Sequence, residues 1–402
     1  MINCFIPFLS LPQARQTVRA LGLCDRIKNI YLLATEKIPD EVEGCEMLMI
    51  DSPASTATFR TIALHADTAY TLLYTKYTAF EPGQFAFERL LAIAGDTNAG
   101  MLYADRYLLK NGNSQQAPVI DYQKGSLRDD FDFGSLLFFR SSVLKQAVRA
   151  MDADYRFAGL YDLRLRVSEL AELVHVNEYL YSEVETDIRK SGEKLFDYVD
   201  PKNRAVQIEL EAVCTAYLKR VGGYLAPDFE PVTFDAGGFE QEASVIIPVR
   251  NRIRTIEDAI RSVLAQKTTF RFNLIIVDNH STDGTSEAIG KYTADGRVVH
   301  LVPERSDLGI GGCWNVGVHH PACGKFAVQL DSDDVYSGPD TLQKIVDAFY
   351  EQNCAMVVGT YRMTDFKMNE IPPGIIDHRE WTLENGRNNA LRINGLGAPR
   401  AF

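Results

Sequence analysis

Between residues 243 and 334 the chain three times runs an apolar stretch straight into a knot of polar side chains. Ala243-Ser-Val-Ile-Ile-Pro248 runs into Val249-Arg-Asn-Arg252, and Leu274-Ile-Ile-Val277 ends at Asp278-Asn-His-Ser-Thr-Asp-Gly284. Phe326-Ala-Val-Gln-Leu330 ends at Asp331-Ser-Asp-Asp334. Short Val- and Ile-rich runs without alternation suit strands buried on both faces of a parallel sheet. Between the first two runs, Ile256, Ala259, Ile260, Val263 and Leu264 recur at helical spacing and supply a crossover. In an open α/β sheet ligands collect at the carboxyl ends of strands, so the three polar knots read as one candidate site.

The same grammar appears earlier, less cleanly. Residues 4–8, 30–34 and 70–74 read as strands, with a helix between the first two and another around 84–94. A long helix is expected over about 203–221, with Lys219 and Arg220 in its last turn and Gly222-Gly223 as its stop. Residues 226–241, with proline and Asp-Ala-Gly-Gly and no periodicity, read as a linker between domains at 1–225 and 242–402. Phe5-Ile-Pro7 mirrors Ile246-Ile-Pro248. Leu73-Tyr-Thr-Lys-Tyr, followed by Pro82, mirrors Leu330-Asp-Ser-Asp-Asp, followed by Pro339. The expectation is two diverged α/β copies in tandem.

Composition narrows the function. The 402 residues carry 42 Lys and Arg against 54 Asp and Glu, a net charge of −12, so a nucleic-acid partner is not expected. No apolar run approaches the roughly 18 residues that span a bilayer. The N-terminus lacks basic residues, and Pro7 and Pro12 break its apolar run, so no signal peptide is read. A cytoplasmic protein follows, with the inner face of a membrane as a second expected place of work. The seven cysteines form no C-x-x-C pair and read as free thiols.

The chemistry sits at the polar knots. Asp331, Asp333 and Asp334 crowd three carboxylates into four residues, and a divalent cation, Mg²⁺ or Mn²⁺, is the natural compensation. Asp278 at a strand tip can accept from a nucleobase or ribose. Ser281 or Thr282 can cap the next helix, with Asp283 in its first turn. Pro248, Val249, Arg250 and Asn251 form a base or phosphate pocket at the first tip.

These motifs together resemble family 2 glycosyltransferases of the GT-A fold: an Ile-Ile-Pro strand, then Val277-Asp-Asn-His-Ser-Thr-Asp-Gly-Thr285, then a short D-x-D motif. Gly309-Ile-Gly-Gly-Cys-Trp-Asn-Val-Gly317 is similar to the family's glycine-rich stretch, with Trp314 where an arginine is common and Asn315 retained. The resemblance implies two tandem Rossmann-like GT-A domains of mixed, mostly parallel sheet flanked by helices. It implies transfer of a sugar from a nucleotide diphosphate sugar to a saccharide or other hydroxyl acceptor, in polysaccharide or glycoconjugate assembly. Asp278 would hold the nucleoside, Asp333 would ligate the metal, and Asp331 would face ribose or metal.

The resemblance also marks gaps. The family's general base is usually the aspartate of an E-D pair, and none follows residue 340, so the second domain reads as a donor-binding half with its acceptor part incomplete. Asp377, His378 and Glu380 are substitute candidates. In the first half, Gly159-Leu-Tyr-Asp-Leu-Arg-Leu-Arg166 and Leu173-Val-His-Val-Asn-Glu-Tyr-Leu-Tyr181 resemble the acceptor-side pattern, with Gly159 and Leu160 at the E-D positions. Lys76 stands at a D-x-D position, so this copy is expected to be degenerate and non-catalytic, with Asp105 and Asp162 as its remaining acids. Two rivals stand beside transfer. A sugar nucleotidyltransferase would need a glycine-rich phosphate loop, which Val249-Arg-Asn-Arg252 lacks. A sugar-nucleotide-binding or assembly module would bind without turnover.

Overall fold

A computed structural model describes residues 1–37, 40–110, 112–184, 203–234, 237–378, 381–393 and 399–402. The chain forms two compact units, Met1–Ala226 with Trp381–Ile393, and Pro227–Glu380 with Asn394–Phe402. Among the described residues no helix is long and apolar enough to cross a membrane, and all seven cysteines are free.

In the first unit the elements run β1 (Ile2–Pro7), α1 (Leu11–Leu21), β2 (Ile27–Ala34), β3 (Glu46–Met49), α2 (Thr56–His65), β4 (Tyr70–Tyr74), β5 (Phe80–Pro82) and α3 (Ala86–Asp96). There follow β6 (Met101–Lys110), β7 (Asn113–Ala117), β8 (Leu136–Arg140), α4 (Ser141–Arg149), α5 (Gly159–Leu170), β9 (Leu173–Val184) and α6 (Arg204–Val221). The sheet order is β3-β2-β1-β4-β8-β6-β9-β5, with β7 paired to β6. β1 pairs in parallel with β2 and β4, and β8 turns antiparallel against β4. Cys4 and Ile6 enter the core on one face of this sheet, Phe5 the core on the other, as the two-residue strand period requires. Helix α6 ends where expected: Gly222 takes φ +75 and its N–H returns to Leu218 O.

The second unit runs β10 (Ala243–Val249), α7 (Ile256–Leu264), β11 (Phe272–Asp278), α8 (Thr285–Gly290), β12 (Val298–Leu301), α9 (Gly309–Val318) and β13 (Phe326–Gln329). Then come α10 (Thr341–Gln352), β14 (Val357–Val358), β15 (Tyr361–Thr364), β16 (Glu370–Ile376), α11 (Gly386–Asn389, which packs with the first unit) and β17 (Arg400–Ala401). Its sheet order is β12-β11-β10-β13-β17-β14. Again the opening strand pairs in parallel on both sides, and β17 turns antiparallel beyond β13. Val245 and Ile247 enter one core while Ile246 enters the other with Val277 and Cys313. Gly317 is required here, since a Cβ would stand 2.6 Å from Ile246 Cγ2 where α9 crosses β10.

Two features depart from a simple linear reading. Trp381–Ile393, inside the span read as the second domain, packs with the first unit. Arg392 is fully buried there, paired with Asp129 and donating to Asn389 Oδ1 at 2.7 Å, and Asn388 exchanges hydrogen bonds with Leu225. The strand pairing also shifts the echo between halves by one residue. Phe5 lies opposite Leu73, whereas Ile246 lies opposite Gln329. With Phe5 matched to Ile246, Lys76 therefore falls at Ser332 and Tyr77 at Asp333.

Candidate functional site

Strands β10, β11 and β13 are adjacent, so their carboxyl ends bring the three polar knots together. The turn after β10 reverses at Asn251, whose φ of +55 is a left-handed conformation that asparagine tolerates. Its N–H donates to Ser281 Oγ at 3.0 Å, and its Oδ1 accepts from the Thr282 N–H at 2.8 Å. Arg252 N–H donates to Thr285 Oγ1 at 2.8 Å, and Ile253 N–H to Asp283 Oδ2 at 3.2 Å. Four hydrogen bonds thus zip the first turn to the second. Asn251, read from sequence as a ligand contact, spends its side-chain oxygen on this zip. Pro248 and Val249 are buried strand residues, and Arg250 is exposed.

Asp278 is fully buried. Its Oδ1 accepts from the Ser281 N–H at 3.0 Å, Ser286 Oγ donates to its Oδ2, and His300 Nε2 lies 3.5 Å away. Burial alone would push this carboxyl up, but the Ser281 and Ser286 hydrogen bonds and the nearby His300 hold it below the usual carboxylate range. The carboxylate expected to meet a nucleoside is therefore committed to its own loop. Its neighbour Asn279 is buried with an amide oxygen that has no protein partner, which leaves an acceptor to be satisfied. Helix α8 begins only at Thr285. Asp283, rather than Ser281 or Thr282, accepts its first N–H, from Thr285 at 3.1 Å.

The acidic turn follows β13. Asp331 is half-buried and accepts from Gln329 Nε2 at 3.0 Å. The side chain of Asp333 is half exposed, and its Oδ2 lies 3.7 Å from Arg252 Nε. Asp334 is pushed up to about 6 by desolvation first and then by the charges of Asp331 and Asp333. Among the described residues these three carboxylates do not close into a three-ligand cluster, and a divalent cation needs only one or two of them when phosphate oxygens complete its shell. Arg252 joins all three turns: its backbone is tied to the second and its guanidinium reaches the third. Sequence reasoning passed over it, and likewise Ser286 and His300.

The remaining candidates scatter. Asn315 is exposed on α9, its carbonyl taken by His319. Asp377 and His378 are half-buried just beyond β16. Burial lowers the His378 ring while Asp377 opposes it. β16 pairs through Ile376 with Tyr361, whose phenol is raised by burial and by the charge of Asp334. Glu380 lies outside the described residues. In the first unit the expected acids are structural. Asp105 meets His175 Nε2 at 2.9 Å, and Asp162 meets Arg166 Nε at 3.0 Å.

A basic turn, a hydroxyl-rich turn and an acidic turn thus lie together on three adjacent parallel strand tips, where ligands of open α/β sheets collect. Residues 244–398 match the family model for Glycosyl transferase family 2. A putative teichuronic acid biosynthesis glycosyltransferase of Bacillus subtilis, TuaG, is 33% identical over 120 residues, 30% of this chain and 46% of that protein. An uncharacterized glycosyltransferase of Rickettsia conorii is 38% identical over 97 residues, 24% of this chain and 15% of that one. The chain thus spans less than half the length of either relative. The crystal structure of S. aureus TarS 1-349 aligns at 26% identity over 33% of this chain and 38% of that one, with a TM-score of 0.28.

Proposed function

We propose that this chain is a metal-dependent glycosyltransferase whose second unit binds a nucleotide diphosphate sugar and passes the sugar to a hydroxyl acceptor in polysaccharide or glycoconjugate synthesis. The observation that carries the reading is the convergence at Arg252, which ties the turn after β10 to Thr285 and reaches Asp333 at 3.7 Å. Asp333, with Asp331, would hold Mn²⁺ or Mg²⁺. Held there, the ion would supply positive charge against the diphosphate leaving group. The zipped turns would carry the nucleoside, with the buried Asn279 oxygen as an acceptor and Asp278 fixing the loop. Asp377 and His378 are the candidates among the described residues for activating the acceptor hydroxyl.

The first unit reads as a non-catalytic copy. Its opening strand order supports this, as do two closed positions. Lys76 Nζ is paired at 2.5 Å with the fully buried Glu183, so it is not free for a phosphate. A Cβ on Gly159 would stand 2.6 Å from Thr56 N and 2.7 Å from Ala54 O, so no catalytic glutamate fits there.

Calorimetric titration of UDP, GDP and dTDP, with and without Mn²⁺, tests the donor site on the whole chain and on Asp333→Ala. Binding that needs the metal and is lost in the variant is expected. Binding indifferent to both would overturn the metal role. Release of nucleoside diphosphate from a sugar nucleotide separates an enzyme from a binding module.

A further inference from the structure

We infer that Arg252 is a diphosphate-binding residue that also holds the metal-ligating turn while no nucleotide is present, so that cation and nucleotide each depend on the other for tight binding. The inference rests on the donor-site reading above. Three observations carry it.

First, the Arg252 backbone is fixed. Its N–H is bonded to Thr285 Oγ1, and the left-handed Asn251 before it sets the direction of the turn. Second, its guanidinium is only lightly held. The side chain is half exposed, with one internal bond to the Asn251 carbonyl at 3.3 Å, and its one ion pair among the described residues is the loose contact to Asp333 Oδ2 at 3.7 Å. Third, the oxygen it approaches belongs to the carboxylate expected to hold the cation.

A guanidinium and a divalent ion cannot both occupy the same face of Asp333 without repulsion. When a diphosphate arrives with the ion, its added negative charge offers Arg252 a better partner: a planar fork on phosphate oxygens makes shorter, charge-assisted bonds than a 3.7 Å contact. Arg252 therefore opposes the free cation and favours the loaded site.

The test measures binding of Mn²⁺ alone, of UDP and GDP with Mn²⁺, and of uridine and guanosine with Mn²⁺, on the wild-type chain, Arg252→Ala, Arg252→Lys and Asp333→Asn. Removing an exposed competing cation should tighten Mn²⁺ alone about two- to fivefold in Arg252→Ala. Losing a charged phosphate contact should weaken the better-binding diphosphate about tenfold or more, and leave its nucleoside unchanged. Arg252→Lys should fall between.

Unchanged Mn²⁺ and diphosphate affinities in Arg252→Ala would reduce the contact to a surface ion pair and overturn the inference. An equal loss for diphosphate and nucleoside would do the same, since it would mean that Arg252 merely shapes the loop. If instead Asp333→Asn and metal removal leave diphosphate binding intact in every variant, the donor-site reading itself fails, which is a separate result.

Discussion

Two strand tips, one after β4 and one after β13, occupy the same place in two sheets of matching opening order, yet their chemistry has diverged. After β13 the chain exposes carboxylates. Among the described residues Asp333 has only a loose partner, and Asp334 is raised by desolvation and then by its acidic neighbours. After β4 it presents Thr75, Lys76 and Tyr77, and the Lys76 ammonium is tied to a buried carboxylate. Glu183, with no exposed side-chain surface, takes Lys76 at 2.5 Å, Arg106 Nε at 2.9 Å and the Ser135 hydroxyl. One tip keeps charge uncompensated and so can receive a cation. The other satisfies its charge internally and is held by the energy of that pairing. Uncompensated charge at a strand end is thus a better sign of a working site than the strand order shared by both.

The comparison can be broken most forcefully at Glu183. Replacing it with alanine takes the buried carboxylate away from Lys76, Arg106 and the Ser135 hydroxyl, though Arg106 keeps Asp132, and should cost about 3 kcal/mol. Thermal unfolding would show it, while the second unit's nucleotide titration stays unchanged. Asp333→Ala is the mirror experiment: at least a 10–100-fold loss of Mn²⁺-dependent nucleotide affinity is expected. Its half-exposed side chain should leave stability within about 0.5 kcal/mol, read by denaturant titration.

Gly317→Ala sharpens the second unit's geometry, because the added methyl meets Ile246 beneath the site; a loss of about 1–3 kcal/mol is expected in chemical denaturation. The smallest effect concerns Asp278. Its carboxyl is held below the usual range, so the unfolded chain binds more protons between the two values and stability rises with pH there. Its contribution is full above about pH 4, the ordinary carboxylate value, and fades as pH falls through the lower folded one. In Asp278→Asn that part of the acid-side slope should vanish from a pH series of unfolding curves.

Much of this was legible in the residues. The apolar runs ending at Pro248, Val277 and Leu330 became central strands whose carboxyl ends fall within a residue of those positions, because continuous branched side chains suit a sheet covered on both faces. Gly222 ended its helix because glycine enters the left-handed region without a Cβ penalty. Other features were hidden by distance along the chain. Nothing near Lys76 announces Glu183, 107 residues later. Nothing near Arg392 announces Asp129, 263 residues earlier. The helix start at Thr285 was misplaced because Ser281 and Thr282 look like caps, yet the first turn claims their polar groups.

The amino-acid order by itself determined the α/β class, the three strand tips and the kind of chemistry they carry, since these follow from local periodicity and from which side chains stand where a strand must end. Only the tertiary structure decided which polar groups remain available. Asp278 and Lys76 are held by close partners, while among the described residues Asp333 and Arg252 meet only loosely, at 3.7 Å. A side chain's availability depends on what folds against it, and that is a property of three-dimensional neighbours rather than of sequence position.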